Sequence, residues 1–297
     1  MLIVTLPAAH QEELMLDIIS HPLVDAVRYN IGTCSAFSPK LTLKKILWLT
    51  QRYNKKLWID LKGRQLRIAK WAVPQYGRIF LNHKIKLTCP AKIFFRGGDW
   101  SFVKVVRRNE IFVDPLPRHA LGEGQAINIA GDDLEIEGNL TEDDREYLQE
   151  ARALGINNFM LSFVEREEDL LDVWTIHPEA QLVAKIESQK GMIFVENDYR
   201  KYTGRVNLMA ARDDLYINIG PKEILGALKK IVESDADAIV ASRILCSLEQ
   251  DWVVSLADLA DVMLMKQFGY RQFMFSDGLS QRKFKESIAV WGEIERR

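Results

Sequence analysis

Charged and amide residues occur in pairs, two positions apart, near the ends of several apolar segments. Lys185 and Glu187 interrupt the apolar run in VAKIESQKG (183–191), and three other segments repeat this pattern. Residues i and i+2 of a β-strand face the same side, so each pair points one way if these segments are strands. The other pairs are Arg28 with Asn30, Asp60 with Lys62, and Arg212 with Asp214.

The chemistry of these side chains fits a magnesium site for an anionic substrate. Glu187 and Asp214 are two carboxylates that could hold one hard divalent cation, since Mg²⁺ commonly takes one or two protein carboxylates plus substrate oxygens. Arg28, Lys62 and Lys185 supply the positive charge that a phosphorylated substrate requires. Because positioning and charge stabilisation are most of what phosphoryl transfer needs from a protein, this reaction class is indicated.

A structural alternative exists for every pair, namely a salt bridge that ties neighbouring strand ends together. For one pair alone this alternative fits equally well. Four pairs on four segments favour a shared site, because the carboxyl ends of barrel strands face one mouth. Ser162 and Ser242 lie near the ends of two further apolar segments and would add hydroxyl groups at this mouth.

Short apolar strands alternate with helical patterns along most of the chain, which is typical of parallel sheet with crossover helices. The alternation predicts an α/β protein of the (β/α)8 or TIM barrel class. Two apolar stripes at helical spacing, 224–231 and 256–263, mark two of the helices. The predicted strands are 2–6, 26–32, 56–63, 157–164, 182–187, 205–213, 238–243 and 271–277.

Residues 72–131 interrupt this rhythm with period-2 runs such as KIKL and EIFVD between Pro, Gly and Asn residues. The pattern predicts a small antiparallel β domain inserted after the third strand, with the barrel formed by 1–71 and 132–297. The insert has nine Lys and Arg against four Asp and Glu, a net charge of +5. A solvated charged face explains any single residue, whereas the set could cover an anionic ligand.

Composition and charge give further expectations about binding partners, cysteine chemistry and cellular location. The 297 residues carry a net charge of -1, so the whole chain gives no reason to expect a nucleic acid or a membrane as partner. Cys34, Cys89 and Cys246 are widely spaced, which indicates neither a disulfide framework nor a zinc site. With no signal-peptide pattern and no run of 18 apolar residues, a cytoplasmic protein is predicted.

The ordered motifs resemble those of the pyruvate kinase family from Leu2 to about Ala289. AVRYN resembles the family's Ala-Arg-Leu-Asn, and WIDLKGRQLR resembles its Leu-Asp-Thr-Lys-Gly-Pro-Glu-Ile-Arg. VAKIESQKG, MAARDDL and ASRIL follow in register with the remaining barrel motifs. The resemblance implies a (β/α)8 barrel with a β-rich lid after the third strand. It also implies transfer of a phosphoryl group from phosphoenolpyruvate to ADP, giving pyruvate and ATP.

The resemblance further implies individual roles. Lys185 would neutralise charge on the moving phosphoryl group, Glu187 and Asp214 would bind Mg²⁺ or Mn²⁺, and Arg28 would hold the phosphate of phosphoenolpyruvate. Ser242 replaces a threonine linked to proton delivery on the enolate carbon. The other matched positions are Asn30 and Asp60 for a monovalent cation, and Lys62, Arg67, Ser162 and Asp213 around the substrate.

Several positions depart from the family pattern. Gly32 replaces a potassium-ligating serine and Leu61 a threonine, which argues against a potassium requirement. Asp213 replaces a glycine whose backbone approaches the substrate carboxylate, and its charge could repel that group, while Arg243 replaces a glutamine. The lid is shortened over 114–128. The family's C-terminal domain, with its effector sites and much of the tetramer contact, has no counterpart, so an oligomer would form without those contacts.

Three hypotheses follow from these features. The first is a minimal pyruvate kinase. The second is a divergent magnesium-dependent enzyme acting on another enol phosphate or 2-oxoacid, for example a lyase or aldolase, which the short lid, Asp213 and Arg243 favour. The third is a non-catalytic protein that binds phosphoenolpyruvate or pyruvate, against which the retained Lys185, Glu187 and Asp214 argue.

Overall fold

The structure is a computed structural model that describes residues 1–33, 35–73, 78–95, 98–131 and 133–296. The chain divides into two compact units, Met1–Leu61 with Glu142–Arg297, and Lys62–Thr141. The predicted insert, 72–131, falls within the second unit. Cys34 and Arg96, which entered the cysteine and charge predictions, lie outside the described residues, while Cys89 and Cys246 are free thiols.

Eight parallel strands of the first unit close into a barrel, which confirms the predicted (β/α)8 fold. The strands are β1 (Leu2–Thr5), β2 (Ala26–Asn30), β3 (Lys56–Leu61), β11 (Asn158–Leu161), β12 (Gln181–Ile186), β13 (Val206–Ala211), β14 (Ile239–Ala241) and β15 (Gln272–Phe275). Each pairs in parallel with its neighbours in the order β1-β15-β14-β13-β12-β11-β3-β2. Pairing of β1 with β15 closes the ring between the two ends of the chain.

Helices follow the barrel strands, as the alternating pattern predicts. They are α1 (Glu12–Ser20), α2 (Pro39–Arg52), α3 (Glu142–Ala153), α4 (Glu167–Ile176), α5 (Gln189–Asn197), α6 (Arg212–Ser234), α7 (Leu256–Phe268), α8 (Asp277–Arg282) and α9 (Phe284–Glu295). Serine hydroxyls accept backbone N–H groups at several helix starts, for example Ser188 Oγ from Gly191 at 3.1 Å. Within the described part of the chain, no helix has the length and apolar character needed to cross a membrane.

Alternate residues of the strands fill the barrel interior. Nine of them form an apolar cluster: Ile3, Ala26, Trp58, Met160, Val183, Met209, Ile239, Ala241 and Met274. Two positions further along five of these strands, on the same face, the residues become polar: Thr5, Arg28, Asp60, Ser162 and Lys185. The apolar cluster therefore lies beneath a layer of polar side chains at the carboxyl ends of the strands, which we call the polar layer.

The strand ends differ from the prediction where a helix begins early. β13 ends at Ala211, and Arg212 is already the first residue of α6. Residues i and i+2 of a helix do not face each other, so the prediction that Arg212 and Asp214 form a strand-end pair is wrong. Glu187 and Lys62 each follow directly after the last residue of their strand.

Of the two predicted apolar stripes, the one in α6 is largely buried and the one in α7 is not. In α6, Ala227, Leu228 and Ile231 are buried. In α7 the buried residues are Asp258, Val262 and Met265, whereas Leu256 is 81% and Met263 51% exposed. The helix predicted from that second stripe is present, but the stripe is not its buried face. Asp258 is buried because its carboxylate accepts the backbone N–H of Ser247 at 2.8 Å.

The second unit is built from short antiparallel strands. They are β4 (Arg78–Phe80), β5 (Ile85–Lys86), β6 (Ala91–Phe94), β7 (Trp100–Arg107), β8 (Glu110–Asp114), β9 (Asn128–Ala130) and β10 (Glu135–Ile136). Five form one sheet in the order β4-β8-β7-β6-β9, and β5 pairs with β10. Alternate residues such as Ile79, Ile93 and Val103 form the unit's own apolar core. The predicted antiparallel β insert after the third barrel strand is confirmed.

Methionine occurs both in the apolar cluster of the barrel interior and in the exposed stripe of α7, so the same substitution can be compared at the two places. Met160→Ala should lower the free energy of unfolding by about 2–5 kcal/mol, because it opens a cavity in the barrel. Met263→Ala should change it by less than about 0.5 kcal/mol, because that side chain is half exposed. Urea unfolding measures both. Equal losses would contradict the assignment of α7's faces.

Candidate active site

A buried lysine occupies the centre of the polar layer. Lys185 Nζ donates to Ser162 Oγ at 2.8 Å and lies 3.2 Å from Glu187 Oε1 and 3.6 Å from Asp60 Oδ2. Ser162 donates in turn to the carbonyl of Leu61 at 2.9 Å. Burial opposes the charge of Lys185, but Asp60 and Glu187 outweigh it and raise the pKa of the ammonium above its ordinary value. Lys185 is therefore a fixed, permanent cation.

The second cation of the layer, Arg28, is held from three directions. Its Nε donates to Asp60 Oδ2 at 2.7 Å, and its Nη1 donates to Thr5 Oγ1 and Asp277 Oδ1, both at 3.0 Å. Thr5 in turn donates to the carbonyl of Phe275 at 2.9 Å. Burial disfavours the guanidinium charge, yet Asp60 and Asp277 overcome this and raise its pKa. The contacts of Arg28 thus join β1, β2, β3 and the segment after β15.

Glu187 is a buried carboxyl group in surroundings that disfavour its charged form. Its Oε2 accepts the backbone N–H of Phe163 at 2.7 Å, and Phe163 has a left-handed backbone with φ 52°, uncommon for a residue other than glycine. Burial raises the pKa of Glu187 to about 7, against the lowering effect of Lys185. Asp214 raises the pKa of Glu187 further. Burial and the neighbouring Asp214 thus outweigh the stabilising charge of Lys185 on the Glu187 carboxylate.

Asp214 reaches the site from the first turn of α6. Asn218, one helical turn later, donates its amide to the carbonyls of both Glu187 and Asp214 at 2.9 Å. This bridge ties the end of β12 to the start of α6. The charge of Asp214 acts on both Lys185 and Glu187, raising the pKa of each.

The charges of this layer suit a divalent cation. Two cations face four carboxylates, which gives a net charge of -2 when all are ionised: Arg28 and Lys185 against Asp60, Glu187, Asp214 and Asp277. Glu187 and Asp214 supply the hard oxygen ligands that Mg²⁺ prefers. No group of three or more His, Cys, Asp or Glu side chains placed to hold a metal occurs among the residues that the structure describes. The donor chemistry and the charge nevertheless fit a carboxylate pair that holds Mg²⁺.

Ser242 lies in a strained loop after β14. Ser242 and Arg243 are both left-handed, with φ 67° and 58°. Arg212 holds this backbone, because it donates to the carbonyls of Ala241 and Ser242, with the closest contact at 2.6 Å. Its Nη1 also donates to Asp261 at 2.6 Å. Strained backbone persists where its surroundings over-determine it, so Arg212 positions the Ser242 segment.

Asp213 and Arg243 form an ion pair beside that loop. The Arg243 guanidinium also lies 5.7 Å from the centre of the Tyr216 ring, one helical turn beyond Asp213. The pair is half exposed. Arg243 therefore balances the negative charge that Asp213 adds at the start of α6.

The remaining predicted residues take part in other contacts. Asn30 Oδ1 accepts the backbone N–H of Gly32 at 2.9 Å and so closes the turn after β2. Lys62 and Arg67 belong to the second unit, where Arg67 donates to the carbonyl of Gly124 at 2.9 Å. The contacts described above join Arg28, Asp60, Ser162, Lys185 and Glu187.

Thr5 and Asp277 were not among the predicted site residues. Thr5 stands two positions after Ile3 on the inner face of β1, so the spacing rule applied to the first strand would have found it. Asp277 is the first residue of α8, and only the fold brings it to Arg28, which is 249 residues away. Asn218 likewise lies within a helix, where no strand pattern points to it.

A cavity of about 960 Å³ lies between α1 and α9, and both apolar side chains, such as Leu23 and Phe284, and charged ones, such as Asp17 and Lys285, line it. Large pockets are the usual first hypothesis for a binding site. The residues around this cavity include none of the polar layer. On its chemistry, the polar layer is therefore the candidate active site.

Comparison with known proteins identifies relatives over most of the chain. The family described as pyruvate kinase, barrel domain, matches residues 84–277. The pyruvate kinase of Thermoplasma acidophilum is 28% identical over 280 residues, which cover 86% of this chain and 50% of that protein. A pyruvate kinase of Agrobacterium vitis is 32% identical over 48% of this chain and 30% of its own length. Pyruvate kinase 1 of Saccharomyces cerevisiae is 26% identical over 57% and 35%. The chain thus spans half or less of these relatives.

Removing the central ammonium should make stability depend strongly on pH. In metal-free buffer with a chelator, Lys185→Met leaves Asp60 and Glu187 buried together, and we expect a loss of about 3–5 kcal/mol at pH 8. Lys185 lowers the pKa of Glu187, so its loss raises that pKa further, and the folded variant holds the proton on this carboxyl more tightly than the folded wild type does. The variant therefore gains more stability than the wild type as the pH falls from 8. The loss should therefore be smaller at pH 5.5.

Denaturant unfolding at the two pH values measures this effect. Lys201→Met is the matched control, because Lys201 also has two acidic partners but lies on the surface, and its replacement should leave the free energy of unfolding nearly unchanged. A loss for Lys185→Met that is the same at both pH values would contradict the charge assignment.

Proposed function

Because this chain belongs to the pyruvate kinase family, we propose that it is a phosphotransferase that uses Mg²⁺ to move a phosphoryl group from phosphoenolpyruvate to ADP. The products are pyruvate and ATP. The observation that carries the proposal is the buried Lys185 ammonium among Asp60, Glu187 and Ser162 at the carboxyl ends of the barrel strands. A fixed cation of this kind stabilises the charge that a transferring phosphoryl group spreads over its oxygens.

Within this proposal, individual residues of the chain have the following roles. Lys185 neutralises charge on the moving phosphoryl group, and Arg28, oriented by Asp60 and Asp277, binds the phosphate. The P–O bond of the enol phosphate breaks, a new P–O bond forms to the terminal phosphate of ADP, and the enolate carbon takes a proton. Ser242 is the hydroxyl proposed for that proton delivery.

Glu187 and Asp214 would hold Mg²⁺, which supplies positive charge to substrate oxygens when bound. With all four carboxylates ionised and no such cation, Arg28, Lys185, Asp60, Glu187, Asp214 and Asp277 carry a net charge of -2, which disfavours binding of an anionic substrate. Phosphoenolpyruvate should therefore bind only together with the cation. The raised pKa of Glu187 supports this, because burial and Asp214 together outweigh the charge of Lys185, and a bound cation would offset both.

We also propose that the enzyme does not require potassium. Asp60, one of the two positions for a monovalent cation, already accepts a hydrogen bond from Arg28 and lies 3.6 Å from Lys185. Asn30, the other position, is engaged by the N–H of Gly32. Gly32 and Leu61 themselves offer no side-chain oxygen as a ligand.

A second candidate is a related enzyme that acts on another enol phosphate or 2-oxoacid. The Asp213–Arg243 ion pair favours it, because it places two half-exposed opposite charges beside the Ser242 loop. A substrate with a different polar group could use either charge. Under this alternative the magnesium and phosphate ligands keep their roles, and only the acceptor or the carbon skeleton changes.

A coupled assay with phosphoenolpyruvate, ADP and Mg²⁺ should detect pyruvate formation by the wild-type chain. Glu187→Gln should lower kcat/KM by about 100-fold or more, because it removes a charged metal ligand. Glu196→Gln, on the exposed side of the following helix α5, is the matched control and should keep wild-type activity. Full activity of Glu187→Gln would remove the metal assignment. Magnesium-dependent binding of phosphoenolpyruvate without any pyruvate would favour the second candidate.

Replacing potassium tests the cation proposal separately. The rate in potassium chloride should equal the rate in tetramethylammonium chloride at the same ionic strength, because Arg28 and Lys185 already provide the positive charge at Asp60. Initial rates at saturating Mg²⁺ measure this. A rate that rises with potassium and saturates would show that Asn30 and Asp60 bind the ion.

A further inference from the structure

The outer face of the five-stranded sheet in the second unit carries an unusual set of aromatic rings. Its inner face forms the apolar core, and the alternate residues point away from it. Trp100 is 43% exposed, and the four phenylalanines are partly exposed. We call the set the aromatic face, and its members are Phe80, Phe94, Trp100, Phe102 and Phe112. An open sheet face is usually polar, so this exposed apolar surface needs an explanation.

Every ring of the aromatic face has a cation over it. Lys92 Nζ lies 4.9 Å from the centre of Phe94 and 4.7 Å from that of Trp100. Lys104 lies 5.4 Å from the Phe102 ring. Arg107 covers Phe112 at 5.5 Å, and Phe80 lies beneath Arg78 at 4.8 Å and Lys70 at 5.2 Å. Rings and cations thus alternate across four adjacent strands.

The charge of this face is strongly positive although the chain as a whole is slightly acidic. Five cations are accompanied on the same face by two carboxylates, Glu110 and Asp114, which gives a net charge of +3. Glu110 pairs with Arg78, whereas Asp114 lies 3.9 Å from Lys104. The whole-chain charge of -1 averages this face with an acidic remainder.

We propose that the aromatic face binds single-stranded nucleic acid, with bases on the rings and phosphates on the cations. Proteins that bind single strands without sequence preference combine a positive surface with rings on which bases stack. Lys92 and Lys104 have flexible stems, so each can move from its ring to a phosphate while the ring accepts a base. The inference stands apart from the proposed catalytic function, because none of these residues belongs to the barrel.

Other anionic partners fit this face less well. A polyanion without bases, such as polyphosphate, would use the cations and leave the rings exposed. An anionic membrane requires apolar side chains that enter the lipid. A stacked base needs only one face of a ring, which suits the partly exposed Phe102 and Phe112 better. Of these three partners, single-stranded nucleic acid is the one that uses both the rings and the charges, and a strand can occupy several rings at once.

Fluorescence anisotropy with labelled 12-nucleotide oligo(U) and oligo(dT) tests the proposal on the full chain. We expect saturable binding, quenching of tryptophan emission, and an affinity that falls with salt. If three to five phosphates are neutralised, log K against log salt should have a slope of roughly -2 to -3.5.

Variants separate stacking from general charge attraction. Trp100→Ala should weaken binding about 10-fold through lost stacking, and Lys92→Gln should reduce the steepness of the salt slope by about 0.7. Trp252→Ala is the matched control, since Trp252 is 79% exposed in the barrel unit and also lies beneath a lysine, Lys283. Lys86→Gln, on the separate two-stranded sheet, is the control for charge. Both controls should bind like the wild type.

Three results would overturn the proposal. They are no saturable binding at low salt, binding that Trp100→Ala leaves unchanged, and binding that Lys86→Gln weakens as much as Lys92→Gln. Tighter binding to phosphatidylserine vesicles, lost in the same variants, would show a membrane surface instead. Each variant is first checked for a wild-type unfolding transition. Phe102→Leu serves as a second ring variant if Trp100→Ala does not fold.

Discussion

The candidate site depends on one electrostatic constraint, a lysine ammonium buried among carboxylates inside a closed barrel. Lys185 loses hydration on folding and recovers the lost interaction energy only because Asp60, Glu187 and Ser162 surround it. Those carboxylates then exceed the available positive charge, since Asp214 and Asp277 add to them. This excess of carboxylates is the basis of our proposal that a divalent cation and an anionic substrate bind here together.

The sequence predicts the barrel because each barrel strand is an apolar run in the sequence and these runs alternate with helical patterns. The eight predicted runs correspond to the eight observed strands. It also predicts the core of the site, since Arg28, Asp60, Ser162 and Lys185 follow the inward-facing residues of their strands at spacing two. The i, i+2 rule holds only while the chain remains a strand. It therefore fails at Arg212, where α6 begins one residue after β13.

Other features depend on long-range contacts that no local pattern contains. Asp277 meets Arg28 across 249 residues, and Asn218 connects β12 to α6 from within a helix. The apolar stripe of α7 is exposed because Asp258 turns inward to accept the N–H of Ser247. In the second unit, composition gives the correct sign of charge, but only the sheet register shows that the cations and the rings share one face.

The contacts of Arg28 also bear on how the protein is synthesised. The helices and the β2–β3 pair can form while the polypeptide is still being translated, because their contacts are local. The bond from Arg28 to Asp277 and the β1–β15 pairing must wait until the last strand has left the ribosome. Until then the Arg28 guanidinium lacks Asp277, one of its two carboxylate partners. The edge of β1 that later pairs with β15 also remains without a neighbouring strand. The polar layer is thus completed in the same late step that closes the ring.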